Sequence, residues 1–309
     1  MSISPSMVKE LREKTGVGMM DCKNALVEAD GDLDKAVEIL RKKGLSKAAK
    51  KSCRAATEGL VASLVKDNRG ALVEINSETD FVAKNDAFRG FVDGVASVVL
   101  EHKPADMDAL MALPFPGTGR TVEEEQTHQV ATIGENIRVR RFSCLEVPTG
   151  YVSSYIHMGG KIGVIVAFQT ANDKVSTSEF QTLAADISMH VCAADPRFTN
   201  RSEVPSDELG KEKEILVAQM KADPKNAKKP EDILVKIVEG KLGKYYSENC
   251  LLEQPFVKEP SETVEQVVAK TGSAMGVKVE VTGFARFKLG EGLEKKEEDF
   301  AAEVANAFN

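Results

Sequence analysis

Side chains able to make or break bonds are sparse and scattered in this sequence. The four histidines, His102, His128, His157 and His190, stand far apart and show no metal-ligand spacing. His190 lies near Cys192 on a helical stretch, but residues two apart on a helix do not face each other, so both read as packing residues. Gly159-Gly160-Lys161 comes nearest to a phosphate loop. It fails because Ile162 follows the lysine and Tyr155 stands where the first glycine is needed. Gly16-Val17-Gly18 lacks the preceding strand of a dinucleotide site. There is no His-Glu-x-x-His and no Gly-x-Ser-x-Gly. No covalent chemistry, cofactor or metal site is therefore expected. What remains is contact, and its sharpest candidate is Ser77-Glu78-Thr79-Asp80-Phe81-Val82-Ala83-Lys84-Asn85. A large ring beside an acid, on a short connector between strand and helix, either seals its own fold or pushes into another protein's.

The elements around that stretch fit a protein built for binding. With 309 residues the chain has material for about two domains and small attached modules. Apolar residues are 42% and charged residues 29%, enough for a real core. A net charge of -7 argues against a nucleic-acid backbone as the main partner. Five widely spaced cysteines without a CxxC pair suit a reducing compartment. No apolar run approaches membrane-spanning length, so a cytoplasmic protein without membrane contact is expected.

In chain order, residues 4–44 read as three short helices. The third places Leu33, Ala36, Val37 and Leu40 at helical spacing and ends on Arg41-Lys42-Lys43-Gly44, where cations meet the negative end of the dipole. Residues 45–58 form a basic, helix-favouring connector. The period then turns strand-like: residues 60–66, a turn at Asp67-Asn68-Arg69-Gly70, and residues 71–76 make a hairpin. A helix bearing Phe88, Phe91, Val92, Val95 and Val99 follows the Asp80-Phe81 corner. Thr121 with Glu124 forms a capping box, Gly134 stops that helix, and a strand over 136–142 turns Ile137 and Val139 inward. The pattern then repeats: strands 151–156 and 162–169 around His157-Met158-Gly159-Gly160-Lys161, then a helix with Ser176 and Glu179, or Ser178 and Gln181, as its capping box. Residues 201–248 read as an antiparallel helical hairpin with an apolar stripe, covered by its mate or by another subunit. A short helix over 262–269, capped by Ser261, and a strand over 278–289 return to globular pattern. The tail spaces Phe300, Val304 and Phe308 four apart; this stripe lies on its own core or in a partner's groove.

Five ordered blocks carry a resemblance. They are Leu11-Arg12-Glu13-Lys14-Thr15-Gly16-Val17-Gly18-Met19-Met20-Asp21-Cys22-Lys23, Thr79-Asp80-Phe81-Val82-Ala83-Lys84, Ile133-Gly134-Glu135-Asn136-Ile137, His157 with Lys161-Ile162-Gly163-Val164, and Asp299-Phe300-Ala301-Ala302-Glu303-Val304. Together they resemble the bacterial translation elongation factor Ts family, nucleotide exchange factors for the GTPase elongation factor Tu. The long turn at Met158-Gly159-Gly160 and the apolar, proline-containing 105–119 connector depart from the family pattern. The resemblance implies an α+β fold with a ubiquitin-associated-like (UBA-like) three-helix module and linker (1–55) and two related core subdomains (56–146 and 147–289). It also implies a helical-hairpin insertion (201–248) linked to dimerisation, and a C-terminal helical module (290–309). It further implies that Thr79, Asp80, Phe81, Val82, Met19, Met20, Phe300 and Val304 meet the nucleotide-binding domain of elongation factor Tu, and that His157 meets its third domain. A homodimer through 201–248 stays open, since one chain could satisfy that stripe. The other functional reading is a non-catalytic adaptor that binds proteins through the UBA-like module.

Overall fold

In a computed structural model the structure describes residues 3–222 and 231–294, with side chains left aside at 221–222 and 231–236. The fold mixes helices with small antiparallel sheets. Helices α1 (Pro5–Thr15), α2 (Met19–Glu28) and α3 (Leu33–Lys51) come first. Leu11, Val17, Ala25, Leu26, Ala36 and Leu40 close a thin core among them. Gly44 does not end α3 as expected. It is buried mid-helix, where an added Cβ would stand 3.3 Å from the Cβ of Ala131, so the missing side chain permits close packing. Lys51 then reaches the carbonyl of Gly134, and Arg41 pairs with Glu124. The basic connector is thus largely a continuation of α3.

Strands β1 (Glu58–Lys66) and β2 (Arg69–Ser77) form a hairpin tighter than expected, turning on Asp67 and Asn68 with Asp67 at φ 55°. Next come α4 (Asp86–His102), α5 (Met107–Ala112) and α6 (Val122–Ile133), then β3 (Arg138–Glu146), which completes the sheet β1-β2-β3. The Thr121–Glu124 capping box and the left-handed Gly134 bound α6 as its sequence indicates. Strand β2 is buried along almost its whole length, although its sequence alternates. Ala71, Val73 and Ile75 pack with Phe88, Phe91, Val92, Val95 and Val99 of α4. The opposite face, with Leu72, is covered by a second sheet.

That second sheet contains β4 (Gly150–His157), β5 (Ile162–Gln169) and β8 (Glu280–Lys288), in that order and antiparallel. Helix α7 (Ser178–Ala194) covers its outer face, with Phe168 and Phe180 edge to face at 5.7 Å. Thr177, rather than Ser176 or Ser178, caps α7, accepting the N–H of Phe180. Both sheets carry a register shift in the central strand, at Glu74/Ile75 and at Ala167/Phe168. Helices α8 (Ser206–Ala222) and α9 (Glu231–Asn249) form the expected hairpin. Leu216, Met220 and Leu242 are buried, while Ile215 and Val217 are exposed on α8. At its base the Tyr245 hydroxyl donates to Glu208, and burial with that carboxylate pushes its pKa up to about 12. Short strands β6 (Pro255–Phe256) and β7 (Glu259–Thr263) lead into α10 (Val264–Met275). Thr263 and Gln266 make its capping box, where Ser261 was expected, and the helix runs past the expected end at 269. No helix among the described residues is long and apolar enough to cross a membrane.

Candidate functional site

The Asp80-Phe81 corner is held from both sides. Ser77 ends β2 and donates its hydroxyl to the Thr79 carbonyl at 2.9 Å. Glu135, just after the Gly134 stop, accepts the Thr79 N–H at 2.9 Å and its hydroxyl at 2.7 Å. Glu78 accepts the Asn136 N–H at 2.6 Å and pairs with Arg54 at 3.4 Å. A 3-10 turn over Val82–Lys84 follows, Arg89 donates to the Ala83 carbonyl, and Asn85 caps α4 through the N–H groups of Ala87 and Phe88. Val82 is the anchor. It is 6% exposed and packs into the α4 core, so it holds the corner rather than offering a surface.

Phe81 is turned the other way. The residue is 76% exposed, beyond any other large hydrophobic described, which rules out the reading in which the ring seals its own core. Exposing a phenylalanine ring forfeits roughly 1.5–3 kcal/mol of burial. The Lys84 ammonium lies over it, 5.8 Å from the centroid. Asp80 is exposed, and its carboxylate makes no hydrogen bond or ion pair among the described residues. The N–H groups around the corner are capped by Glu135 and Asn85, not by Asp80. Thr79 spends its N–H and its hydroxyl on Glu135.

His157 ends β4 at the tip of the second sheet. Its Nδ1 lies 3.1 Å from the Tyr155 hydroxyl and the two rings stack at 5.9 Å, so the imidazole is oriented by its own strand. Tyr155 was not singled out from sequence, although a partner two residues away on one strand face is what period-two alternation provides. The neighbouring Met158 is 73% exposed and left-handed. Met19 and Met20 open α2 with 55% and 67% exposure. Phe300 and Val304 lie outside the described residues.

His190 and Cys192 lie in the interior of the fold. His190 is buried: its Nε2 meets Gln254 Oε1 at 2.9 Å, and its Nδ1 accepts the Val257 N–H at 3.2 Å. Burial holds its pKa below the ordinary histidine value and pushes the Cys192 thiol up. All five cysteines are unpaired. Among the described residues no group of three His, Cys, Asp or Glu side chains is placed to hold a metal ion.

An exposed ring on a braced corner, with a second oriented tip on another sheet, sits on a chain with clear relatives. Residues 78–291 match the family described as Elongation factor TS. Elongation factor Ts of Syntrophotalea carbinolica is 55% identical to this chain over 99% of each. That of Magnetococcus marinus is 51% identical, over 99% of this chain and 98% of the relative. That of Trichlorobacter lovleyi is 49% identical over 99% of both. These likenesses place the chain among the translation elongation factors. It belongs to the elongation factor Ts family.

Proposed function

We propose that this chain is a guanine-nucleotide exchange factor: it binds elongation factor Tu with GDP, disturbs the magnesium and phosphate site, and releases the nucleotide without covalent chemistry. The observation that supports this best is the outward Phe81 ring on a corner braced by Ser77, Glu78 and Glu135. A ring exposed on a rigid support gains its burial energy in another protein. Asp80, with a carboxylate unspent inside the chain, adds a charge beside the partner's magnesium. A phosphate-and-magnesium site depends on geometry and charge, so a small displacement weakens it steeply. His157, positioned by Tyr155, is the second grip, on the partner's third domain, where it steadies the wedge without touching nucleotide.

In this reading the chain is organised as a UBA-like module and linker (1–55), two related subdomains (56–146 and 147–289) and a terminal module (290–309). The sheets support the relation: each is antiparallel and three-stranded, with a covering helix and a central register shift. Met19 and Met20 extend the same contact from the first module, which favours a docking arm over an independent adaptor. The 201–248 hairpin buries Leu216, Met220 and Leu242 within one chain yet leaves Ile215 and Val217 outside, a face on which a second copy could pack. The site of action is the cytoplasm.

Linkage makes the proposal testable. If the chain weakens GDP binding by some factor, GDP weakens its grip on elongation factor Tu by the same factor. Both affinities are to be measured by calorimetry, with release followed by stopped-flow fluorescence of labelled GDP. Equal factors with accelerated release are expected; release no faster than spontaneous would overturn the proposal.

A further inference from the structure

Two contact points on two sheets can act as one device only if the angle between the sheets is fixed. The join is built around one carboxylate. Glu74 lies in the middle of β2, three residues before the corner begins, and is fully buried. Its Oε1 accepts from Arg140 at 2.8 Å, from the Gly290 N–H at 2.8 Å and from the Asn76 amide at 3.2 Å. Its Oε2 accepts from Arg141 at 2.5 Å. Burial pushes the Glu74 pKa up, but the Gly290 N–H and the two guanidiniums outweigh it and hold the acid below its ordinary value. A buried charge is costly, and four donors from three segments offset that cost.

Arg141 is the link to the other sheet. While holding Glu74, it donates to the Lys288 carbonyl at 3.0 Å and lies over the Phe287 ring at 4.4 Å. Lys288 is the register partner of Ile162, and Ile162 is the partner of His157. On the far side of β2, Glu74 stands opposite Val61, whose N–H donates to the Gly160 carbonyl at 2.8 Å, within the His157 turn itself. The path is a closed ring: His157, Ile162, Lys288, Arg141, Glu74, Val61, Gly160 and back to His157. Lys161 adds a brace to Glu58, the register partner of Ser77 where the corner starts.

We infer that Glu74 is a positioning residue: with Arg141 it fixes the His157 tip relative to the Phe81 corner, so that both engage one partner in one geometry. The inference deepens the exchange reading and rests on it. A merely stabilising ion pair would make both contact points equally well placed after removal, provided the chain stayed folded.

The test uses the full chain with Cys53→Ser and spin labels at Ala87→Cys and Ser154→Cys, both exposed and near the two contact points. Pulsed electron resonance reads the distance distribution between them. Glu74→Gln removes the charge. Arg141→Lys keeps the charge, but a lysine cannot span Glu74 and the Lys288 carbonyl together, and it leaves Arg140 and Gly290 on the carboxylate. Both variants are expected to broaden the distribution. Both should also slow GDP release from the saturated complex by about tenfold, with a smaller change in half-saturating concentration, as misplacement of a positioned group does. Unchanged distributions in the folded variants, or broadened ones with unchanged release, would overturn the inference. Failure of the wild-type chain to stimulate release would instead sink the exchange reading, and the distance arm alone would decide the claim about Glu74.

Discussion

Phe81 and Glu135 divide the labour of one corner, and they should fail differently. Glu135 holds Thr79 by two short hydrogen bonds. Glu135→Ala therefore leaves Phe81 present but poorly aimed. We expect slower GDP release with a stability loss of about 1–3 kcal/mol, since hydrogen bonds to a charged acceptor are lost from a half-buried site. Urea denaturation checks the second figure and stopped-flow fluorescence the first; full activity of a loosened corner would contradict it. His190 makes a different prediction. Its folded pKa is depressed below the ordinary 6.5 by burial, so its neutral form stabilises the fold fully above that value. As pH falls from about 6.5, the unfolded chain takes up the proton first and stability declines. The ring proton resonances of His190 should begin to titrate only below 6.5; a midpoint at or above that value would show the ring is not desolvated as described.

At the scale of elements, most of the pattern was legible, because local signals decide helix ends and strand periods. The α4 stripe, the α6 capping box and the hairpin at β4 and β5 all follow from spacing. The misses occurred where tertiary contact overrides a local rule. Gly44 carries every mark of a helix stop, but its close approach to Ala131 on α6 makes it a packing position. Likewise the alternation of β2 suggests one wet face, whereas the second sheet covers it and turns Glu74 into a buried hub. The direction of the Phe81 ring was not legible, since apolar size alone is equally suited to a core. Gly44→Leu tests the first of these: it should improve helix propensity yet push α3 off α6. Limited proteolysis at residues 52–57 is expected to accelerate while the melting of the two sheets is unchanged; undiminished protection would show that α3 does not need the glycine. At the other join, Gly160 has φ 99°, and an added Cβ would lie 2.6 Å from Leu60 and 3.2 Å from the Val61 carbonyl. Gly160→Ala should cost about 1–3 kcal/mol in urea, from the left-handed backbone alone.

For the whole molecule, the proposed function leaves stability and contact to different residues. Ile75, Phe88 and Val95 close one core, Phe168, Phe180 and Ile187 another, and neither needs the exposed ring. A protein organised this way can lose its wedge without losing its fold or the rest of its interface. Burial of one phenylalanine is worth roughly 1.5–3 kcal/mol, a bias of about 10–150-fold, so the extended surface must supply the remaining affinity. The most direct measurement is therefore the rate of labelled GDP release from elongation factor Tu saturated with Phe81→Ala, beside its affinity for the GDP-bound partner. Release is expected to slow by about 10–150-fold, the bias that ring's burial supplies, while affinity falls by much less. Equal losses in the two quantities, or a variant that releases GDP as fast as the wild-type chain, would contradict the account.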